Sequence, residues 1–537
     1  MKIIDTTELD DKADHLSNNE IYWVYNALDV TVTYDVLNAI KPQLDDISRE
    51  TYNVSMATIA PIMEMMLEGL PVSLSRREEV CKFYEKQLVK LEKQWQRICV
   101  EGLGLPPDRI KRKGRSPIAL SYSSPKDVQV LFHEILGIPE KKKRKKGQEE
   151  AKTTTDRDAL ESFRQYFHAE VFINYILAMR DTAKSIGFLR SSIDADNKLR
   201  CSLNVAGTNT GRLSSQFSDS GTGTNLQNIS GKLKDIFWAE DGWAIVDIDL
   251  EQGDSRGVGA IAWNWFVESH GEDFAGKYLD ACESGDLHTT VTRMAWDKLP
   301  WGDDPNGWKA IASQLAYRDK SYRDLAKGLG HGSNYMGLPP TMAAHAKLPV
   351  STVAEFHRNY FGAFPCIPAW QQETLCRLDR DRYLITPFGR RRYFWGDPKS
   401  STTRNAAIAY SPQSTTGEFI NRGAIKLWHY RNLHNLPIRF LLQVHDSLVL
   451  AVKTSQLETL IPTILAQLKV NLPLARGRDF TIPHGVKVGW NYGSFDFDNP
   501  DDNPFGLKKW LGHDSRKPPK RFSSIGAALN TPISSLR

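Results

Sequence analysis

Two aspartates about two hundred positions apart each sit in an apolar run. Asp249 lies near the end of A-I-V-D-I-D-L, and Asp446 interrupts F-L-L-Q-V-H-D-S-L-V-L-A-V. A carboxylate is costly to bury alone, so two in such surroundings point to a shared divalent cation. Between them runs R-D-L-A-K-G-L-G-H-G-S-N-Y, cationic and rich in glycine. Arg323, Lys327, His331 and Tyr335 recur there every four residues, which on a helix drifts only about 40° per step and lines one broad face. Arginine and lysine on that face can grip phosphates, and the lysine can protonate a leaving group. Metal carboxylates on strands and phosphate-gripping cations on a helix are the parts of a nucleotidyl-transfer site.

The elements that must hold these groups follow from the pattern. A period of two puts Ile245, Asp247 and Asp249 on one face of a strand, which leaves two candidate ligands. The second apolar run breaks at His445-Asp446 and resumes, which describes a β-hairpin with the acid exposed at its turn. Gly328, Gly330 and Gly332 each weaken the intervening helix by roughly 1 kcal/mol relative to alanine, so close approach of a ligand is expected there. Residues 50–105 read as amphipathic helix, and Thr155 or Asp156 as an N-cap before R-D-A-L-E-S-F. Strand-like and helical segments alternate from about 200 to 495, and after Trp490 the hydrophobic period is lost. Residues 500–537 are expected to be a loosely attached or disordered basic tail, with Trp510 as its one anchor.

The residues after Asp249 settle the register between the two candidate ligands. Gln252, Asp254 and Arg256 fall three, five and seven positions on, which resembles motif A of the family A (polymerase I-like) DNA polymerases, D-x-x-Q-x-E-x-R. Q-V-H-D-S resembles motif C, Q-x-H-D-E, with Ser447 in place of its Glu. The helix resembles motif B, R-x-x-x-K-x-x-x-F/Y-G, with His331 at the aromatic position and the closing glycine displaced to Gly337. T-G-R-L-S-S followed by N-L-Q-N-I, Asp286-Leu-His288, T-P-F-G-R-R-R, S-P-Q-S-T-T-G-E and a thumb-like segment from Ser121 to Pro139 complete an ordered set over about residues 50–495. His-Gly-Ser-Asn-Tyr and Ala-Tyr-Ser-Pro-Gln look like bacteriophage-type variants.

The resemblance implies an α+β right-hand polymerase with an antiparallel palm sheet, helical fingers and a helical thumb. It divides the chain into 1–45 (end of an exonuclease-like domain), 46–205 (thumb and palm entry), 206–260 (palm), 261–375 (fingers), 376–497 (palm) and 498–537 (tail). It implies Asp249, Asp446 and the Leu250 carbonyl as ligands of two Mg²⁺ ions, with Mn²⁺ able to substitute, and Lys327 as a catalytic acid. Arg323, Lys327, His288, His331, Tyr335, Gln252 and Asp254 would meet the nucleotide, Asp254 at a sugar gate where relatives carry Glu. Arg212, Asn225, Gln227, Gln413 and His445 would meet primer-template DNA. Ala409 and Asn405 stand where relatives have further DNA-contacting residues, so those contacts are not carried over. His331 is expected to titrate near neutral pH and to make nucleotide affinity pH-sensitive.

Composition narrows the class. Apolar residues make up 41%, and the net charge is only +5, with basic clusters at Lys141–Lys146, Arg390–Arg392 and Lys517–Arg521. Six scattered cysteines have no metal-site spacing and read as reduced, mostly buried thiols. The N-terminus lacks an apolar signal region, and no run of about 18 apolar residues exists, so an intracellular, cytoplasmic protein without a membrane partner is expected.

Tyr25-x-x-x-Asp29 resembles the third motif of a 3′-to-5′ proofreading exonuclease. Its first two motifs have no counterpart in the residues before it, and two-metal hydrolysis by one aspartate is not feasible. No proofreading is expected from this chain alone, unless a separate exonuclease subunit docks on residues 1–45 and Asp29 completes a split site. The competing readings are a single-subunit RNA polymerase, which shares the palm chemistry, and a non-catalytic DNA-binding replication subunit, suggested by Ser447, Ala409 and His331.

Overall fold

Asp249 lies on β1 (Trp243–Leu250), the middle strand of the largest sheet. This is a computed structural model, and it describes residues 17–112, 115–143, 150–218, 221–317 and 320–517. With β2 (Ile438–Val444), β3 (Ser447–Lys453), β4 (His484–Gly489) and β5 (Lys508–Lys509) the order is β2-β3-β1-β4-β5, antiparallel throughout. Trp243 to Val246 are buried on both faces, and alternation begins only at Asp247, so the strand opens to solvent where the acids are. The cross-strand neighbours of Asp249 are Ser447 and Gly485, both small, which leaves room above the carboxylate.

Helices cover this sheet and build the walls around it. The exposed α1 (Asn18–Ile40) begins with a capping box at Ser17 and buries no residue. Helix α2 (Asp46–Glu68) packs on β2 through Ile62 and Met65, and its Glu64 accepts bonds from Trp428 Nε1 at 2.9 Å and the Phe440 amide at 3.2 Å. The paired α3 (Leu74–Arg97) and α4 (Glu170–Leu189) enclose a second core around Trp95, Leu120, Phe132 and Ile173. Trp95 donates from Nε1 to the Leu120 carbonyl at 2.8 Å, which satisfies the one polar atom that ring buries. This second core is separate from the sheet's core, to which α2 contributes Ile62 and Met65. Asp156 caps the short helix Arg157–Ser162, as the sequence suggests.

Helix α5 (Gly253–His270) leaves the end of β1 and is crossed at close range by a 34-residue helix introduced below. A Cβ at Gly253 would stand 2.5 Å from Thr416 Cγ2, so only glycine permits that approach. Next come α6 (Leu287–Ala295), capped by Asp286, α7 (Tyr322–Asn334), with a Ser321/Asp324 capping box, and α8 (Val350–Ala363). The 34-residue helix is α9 (Ser401–His434), and it leads into the β2-β3 hairpin. At the tip His445 takes φ 51°, a backbone state that lets a two-residue loop follow the strand twist.

The tail differs from expectation over its described part. β5 joins the sheet edge, Trp510 N–H donates to the Val486 carbonyl at 2.9 Å, and Arg516 donates to the carbonyls of Pro504, Gly506 and Val488 at 2.7–3.0 Å. The segment 505–516 is therefore packed onto this sheet; residues 518–537, Arg144 to Glu149 and residues 1–16 lie outside the described residues. Five of the six cysteines are buried thiols, and Cys376 is exposed. Among the described residues no helix is long and apolar enough to cross a membrane.

Candidate active site

The end of β1, the hairpin tip, α6 and α7 enclose a cavity of about 290 Å³ lined by Asp249, Leu250, Asp446, His288, Lys327 and His331, with Gln252 and Asp254 beside them. The Leu250 N–H donates to the Asp446 carbonyl at 3.2 Å, which ties the hairpin tip to the end of β1. Both acids thus reach the same space from adjacent strands. A larger groove of about 760 Å³ lies between α3 and α4 and contains none of these residues.

On the acidic wall, the Asp249 carboxyl opens to the cleft but is pushed up to about 6, first by the protein mass that displaces its water and then by Asp247 and Asp446. Asp446 is raised as well, chiefly by desolvation and further by Asp254, while Arg212 pulls it down. Arg212 Nη2 stands 2.7 Å from Asp254 Oδ1 and 2.8 Å from Asp446 Oδ1. Tyr335 donates to Asp254 Oδ2 at 3.1 Å. The residues fit a divalent cation by chemistry: two carboxylates and Leu250 offer hard oxygen donors, and their mutual repulsion is relieved by positive charge. Among the described residues no set of three Asp, Glu, His or Cys surrounds one point, so the protein's own donors are these few.

On the cationic wall, Lys327 is exposed to the cavity. Arg323 instead grips Asp286 with both Nε and Nη2 at 2.9 Å, so the residue expected to hold phosphate is paired across to the cap of α6. That pair holds the Asp286 carboxyl at about 2, against a desolvation cost in the opposite direction. His288, half-buried, is lowered to about 4 by desolvation and by Arg323 and Lys327, and is neutral at pH 7. The His331 ring, 4.7 Å from that of Tyr335, is also lowered, chiefly by desolvation. Its titration is therefore displaced below that of a free imidazole. Tyr335 is the C-cap of α7 and no longer helical. Of the three glycines, only Gly332 makes room, for Met342 Sδ; a Cβ at Gly330 would touch the Tyr360 ring at an ordinary 3.5 Å, and Gly328 faces open space. The end of α7 is fixed by Asn334, which donates to Tyr278 Oη at 2.8 Å and accepts from Tyr360 Oη at 2.7 Å.

Two of the residues expected on DNA make hydrogen bonds inside the protein. Asn225 donates to the Ser215 carbonyl at 2.8 Å, and buried Gln227 donates to the Gln443 carbonyl at 3.0 Å. Gln443 in turn donates to Asn421 at 2.9 Å, and Asn421 to the Gly211 carbonyl at 3.3 Å. Gly211 has φ 76° and carries this loop past Arg390, which places Arg212 toward the two acids instead of outward. Half-buried Asn225 and buried Gln227 thus brace this loop through these bonds. Gln413, half-buried on α9, and His445, exposed at the hairpin tip, remain available to a polymer in the cleft. Tyr25 and Asp29 are exposed on α1, outside this cavity. Asn421, and Lys234, Lys487 and Tyr492 beside Asp247, carry no local signal, because their partners lie far along the chain.

Comparison with known proteins agrees with this geometry. The model of DNA polymerase family A matches residues 108–263 and 308–493. DNA polymerase I of Mycobacterium bovis is 27% identical over 388 residues, 69% of this chain and 38% of that protein. The thermostable DNA polymerase I of Thermus thermophilus is 28% identical over 338 residues, 60% of this chain and 36% of that protein. The chain thus spans well under half the length of these relatives. Among solved structures, the polymerase domain of Pol1 from M. smegmatis, in complex with DNA primer-template and dNTP, superposes with a TM-score of 0.61 at 22% identity, over 81% of this chain and 69% of that one. The fold of α+β palm, fingers and thumb is therefore the observed one, and this chain belongs to DNA polymerase family A.

Proposed function

We propose that the chain is a template-directed DNA polymerase that adds deoxynucleotides to a primer 3′-OH by two-metal-ion nucleotidyl transfer. The observation that carries this is the meeting of Asp249 and Asp446, from adjacent strands, with Lys327 and His288, from two helices, around one cavity. Two Mg²⁺ ions held by Asp249, Asp446 and the Leu250 carbonyl would activate the primer hydroxyl and neutralise the triphosphate, with Mn²⁺ able to replace them. Lys327 binds the phosphates and protonates the leaving pyrophosphate, while neutral His288 donates a hydrogen bond to them. Arg323 reaches the triphosphate when its clasp on Asp286 opens. His331 and Tyr335 stack on the incoming base, Gln252 and Asp254 meet its sugar side, and Gln413 and His445 face the primer-template, which Arg212 reaches only from its place beside Asp254 and Asp446. Extension of a labelled primer by dNTPs with Mg²⁺ tests the reading; extension with rNTPs alone would favour an RNA polymerase, and none with either would favour a non-catalytic subunit.

We also infer that α1 receives a separate exonuclease-type polypeptide. Support comes from its exposed Tyr22, Trp23, Tyr25, Val30 and Tyr34, an apolar surface on a helix with no buried residue. Asp29 would then complete the partner's carboxylate set. Reconstituted 3′-to-5′ digestion that Asp29→Ala abolishes is expected; digestion unaffected by that change would leave α1 as a packing remnant.

A further inference from the structure

Asp247 lies one step inside Asp249 on the same face of β1, and the reaction as described makes no use of it. Its Oδ1 is buried without a hydrogen-bond partner, and the Ser447 hydroxyl on β3 is within reach of the carboxylate. Ser447 itself pairs in register with Asp249, so Asp247, Ser447 and Asp249 form a triangle across two strands. A second unsatisfied group points to the same spot. Tyr492 is 1% exposed, its hydroxyl has no partner, and both Asp247 and Asp249 make that hydroxyl harder to ionise. The neighbouring cations do not account for these vacancies. Lys487 stands across from Asp247 on β4 but is exposed, and Lys234 Nζ sits over the Tyr492 ring, 4.2 Å from its centroid.

A buried carboxylate oxygen and a buried phenol, both with spare hydrogen-bonding capacity and both beside a metal-binding acid, are the equipment for holding the water shell of a cation. We propose that Asp247 is a positioning residue of the metal site: with Tyr492 it orients water on a divalent ion held by Asp249 and Asp446, and its charge strengthens that binding. This rests on the polymerase reading of the same site. Asp247 acts through water and through Asp249, since among the described residues no third ligating side chain converges on the two acids.

The register also supplies a rescue. Position 447 faces both Asp247 and Asp249, so a glutamate there puts a carboxylate into the same space from the opposite strand.

The test uses the full chain and Mn²⁺ as probe, with free ion followed by electron paramagnetic resonance and folding checked by thermal melting. Asp249→Asn is expected to abolish site-specific binding. Asp247→Asn keeps the shape of the side chain and is expected to raise the Mn²⁺ Kd about tenfold, the usual scale for an outer-shell partner. Adding Ser447→Glu to Asp247→Ser is expected to restore the Kd to within about threefold of the parent, a recovery that lost packing alone would not give. A Kd for Asp247→Asn within about twofold of the parent, while Asp249→Asn still abolishes binding, overturns the inference and leaves the polymerase reading intact. So does an Asp247→Ser defect that Ser447→Glu leaves unchanged. Absence of site-specific Mn²⁺ binding in the parent contradicts both readings.

Discussion

Arg212 Nη2 lies 2.8 Å from Asp446 Oδ1, so the acid at the hairpin tip already has a cationic partner before any metal arrives. The guanidinium partly offsets the desolvation that raises the Asp446 carboxyl. Arg212→Gln removes that offset, and the carboxyl climbs further. The acid limb of the extension pH profile should move to higher pH, and stability should fall by about 1–3 kcal/mol, between the worth of an exposed and a buried pair. An unmoved acid limb would show that Asp446 does not depend on Arg212.

Arg323 and Asp286 link α7 to the cap of α6, and the pair predicts a split between kinetic constants. Asp286→Asn releases the clasp that holds Arg323 off the triphosphate, so KM for dNTP should fall about tenfold, equivalent to about 1.4 kcal/mol, with kcat nearly unchanged. The depressed carboxyl, at about 2, contributes stability that is full above its unfolded value of 3.8 and lost as pH falls toward 2. Hence Asp286 adds no titration between pH 5 and 9 in this account.

Asp249 has the opposite sign. Its folded carboxyl titrates near 6 instead of 3.8, so its contribution to the metal-free fold is complete below pH 3.8 and lost as pH rises to about 6. At pH 8 the charged acid is a burden that only a cation relieves. Asp249→Asn should stabilise the metal-free protein, by on the order of 1 kcal/mol once solvent screening of this open carboxylate is allowed for, and so raise its melting point. Mg²⁺ should stabilise the parent and not the variant, and metal affinity in the parent should weaken below about pH 6. Thermal melts with and without Mg²⁺ read all three.

At the proposed sugar gate, Arg212 and Tyr335 fix the Asp254 carboxylate, which is one methylene shorter than a glutamate and so leaves more room at the sugar. A glutamate there reaches one methylene further. Asp254→Glu should increase discrimination against ribonucleotides, read as the ratio of kcat/KM for dNTP and rNTP, and an unchanged ratio would remove Asp254 from the gate.

The strand and hairpin that carry the acids were legible because alternation and a broken apolar run are local signals, and the Asp156 cap is local too. What the sequence could not show depends on partners far along the chain. Residues 498–517 lack hydrophobic period, yet Trp510 and Arg516 bond to β4 and its flanks and hold the segment 505–516 on the sheet. Asn225 and Gln227 sit in a recognisable motif, but spacing does not say which way an amide points, and theirs brace Ser215 and Gln443. His331 is of the type that titrates near neutrality, and only the packed cleft lowers it.

The central claim is that Asp249 and Asp446 together hold the metal that drives nucleotidyl transfer. Primer extension by Asp446→Asn in saturating Mg²⁺ and dNTP tests it most directly, with primer-template binding measured in parallel by fluorescence anisotropy. The account predicts DNA binding within a few-fold of the parent and incorporation reduced by at least about a thousandfold, roughly 4 kcal/mol of transition-state stabilisation. Incorporation by Asp446→Asn at a rate near that of the parent would contradict it.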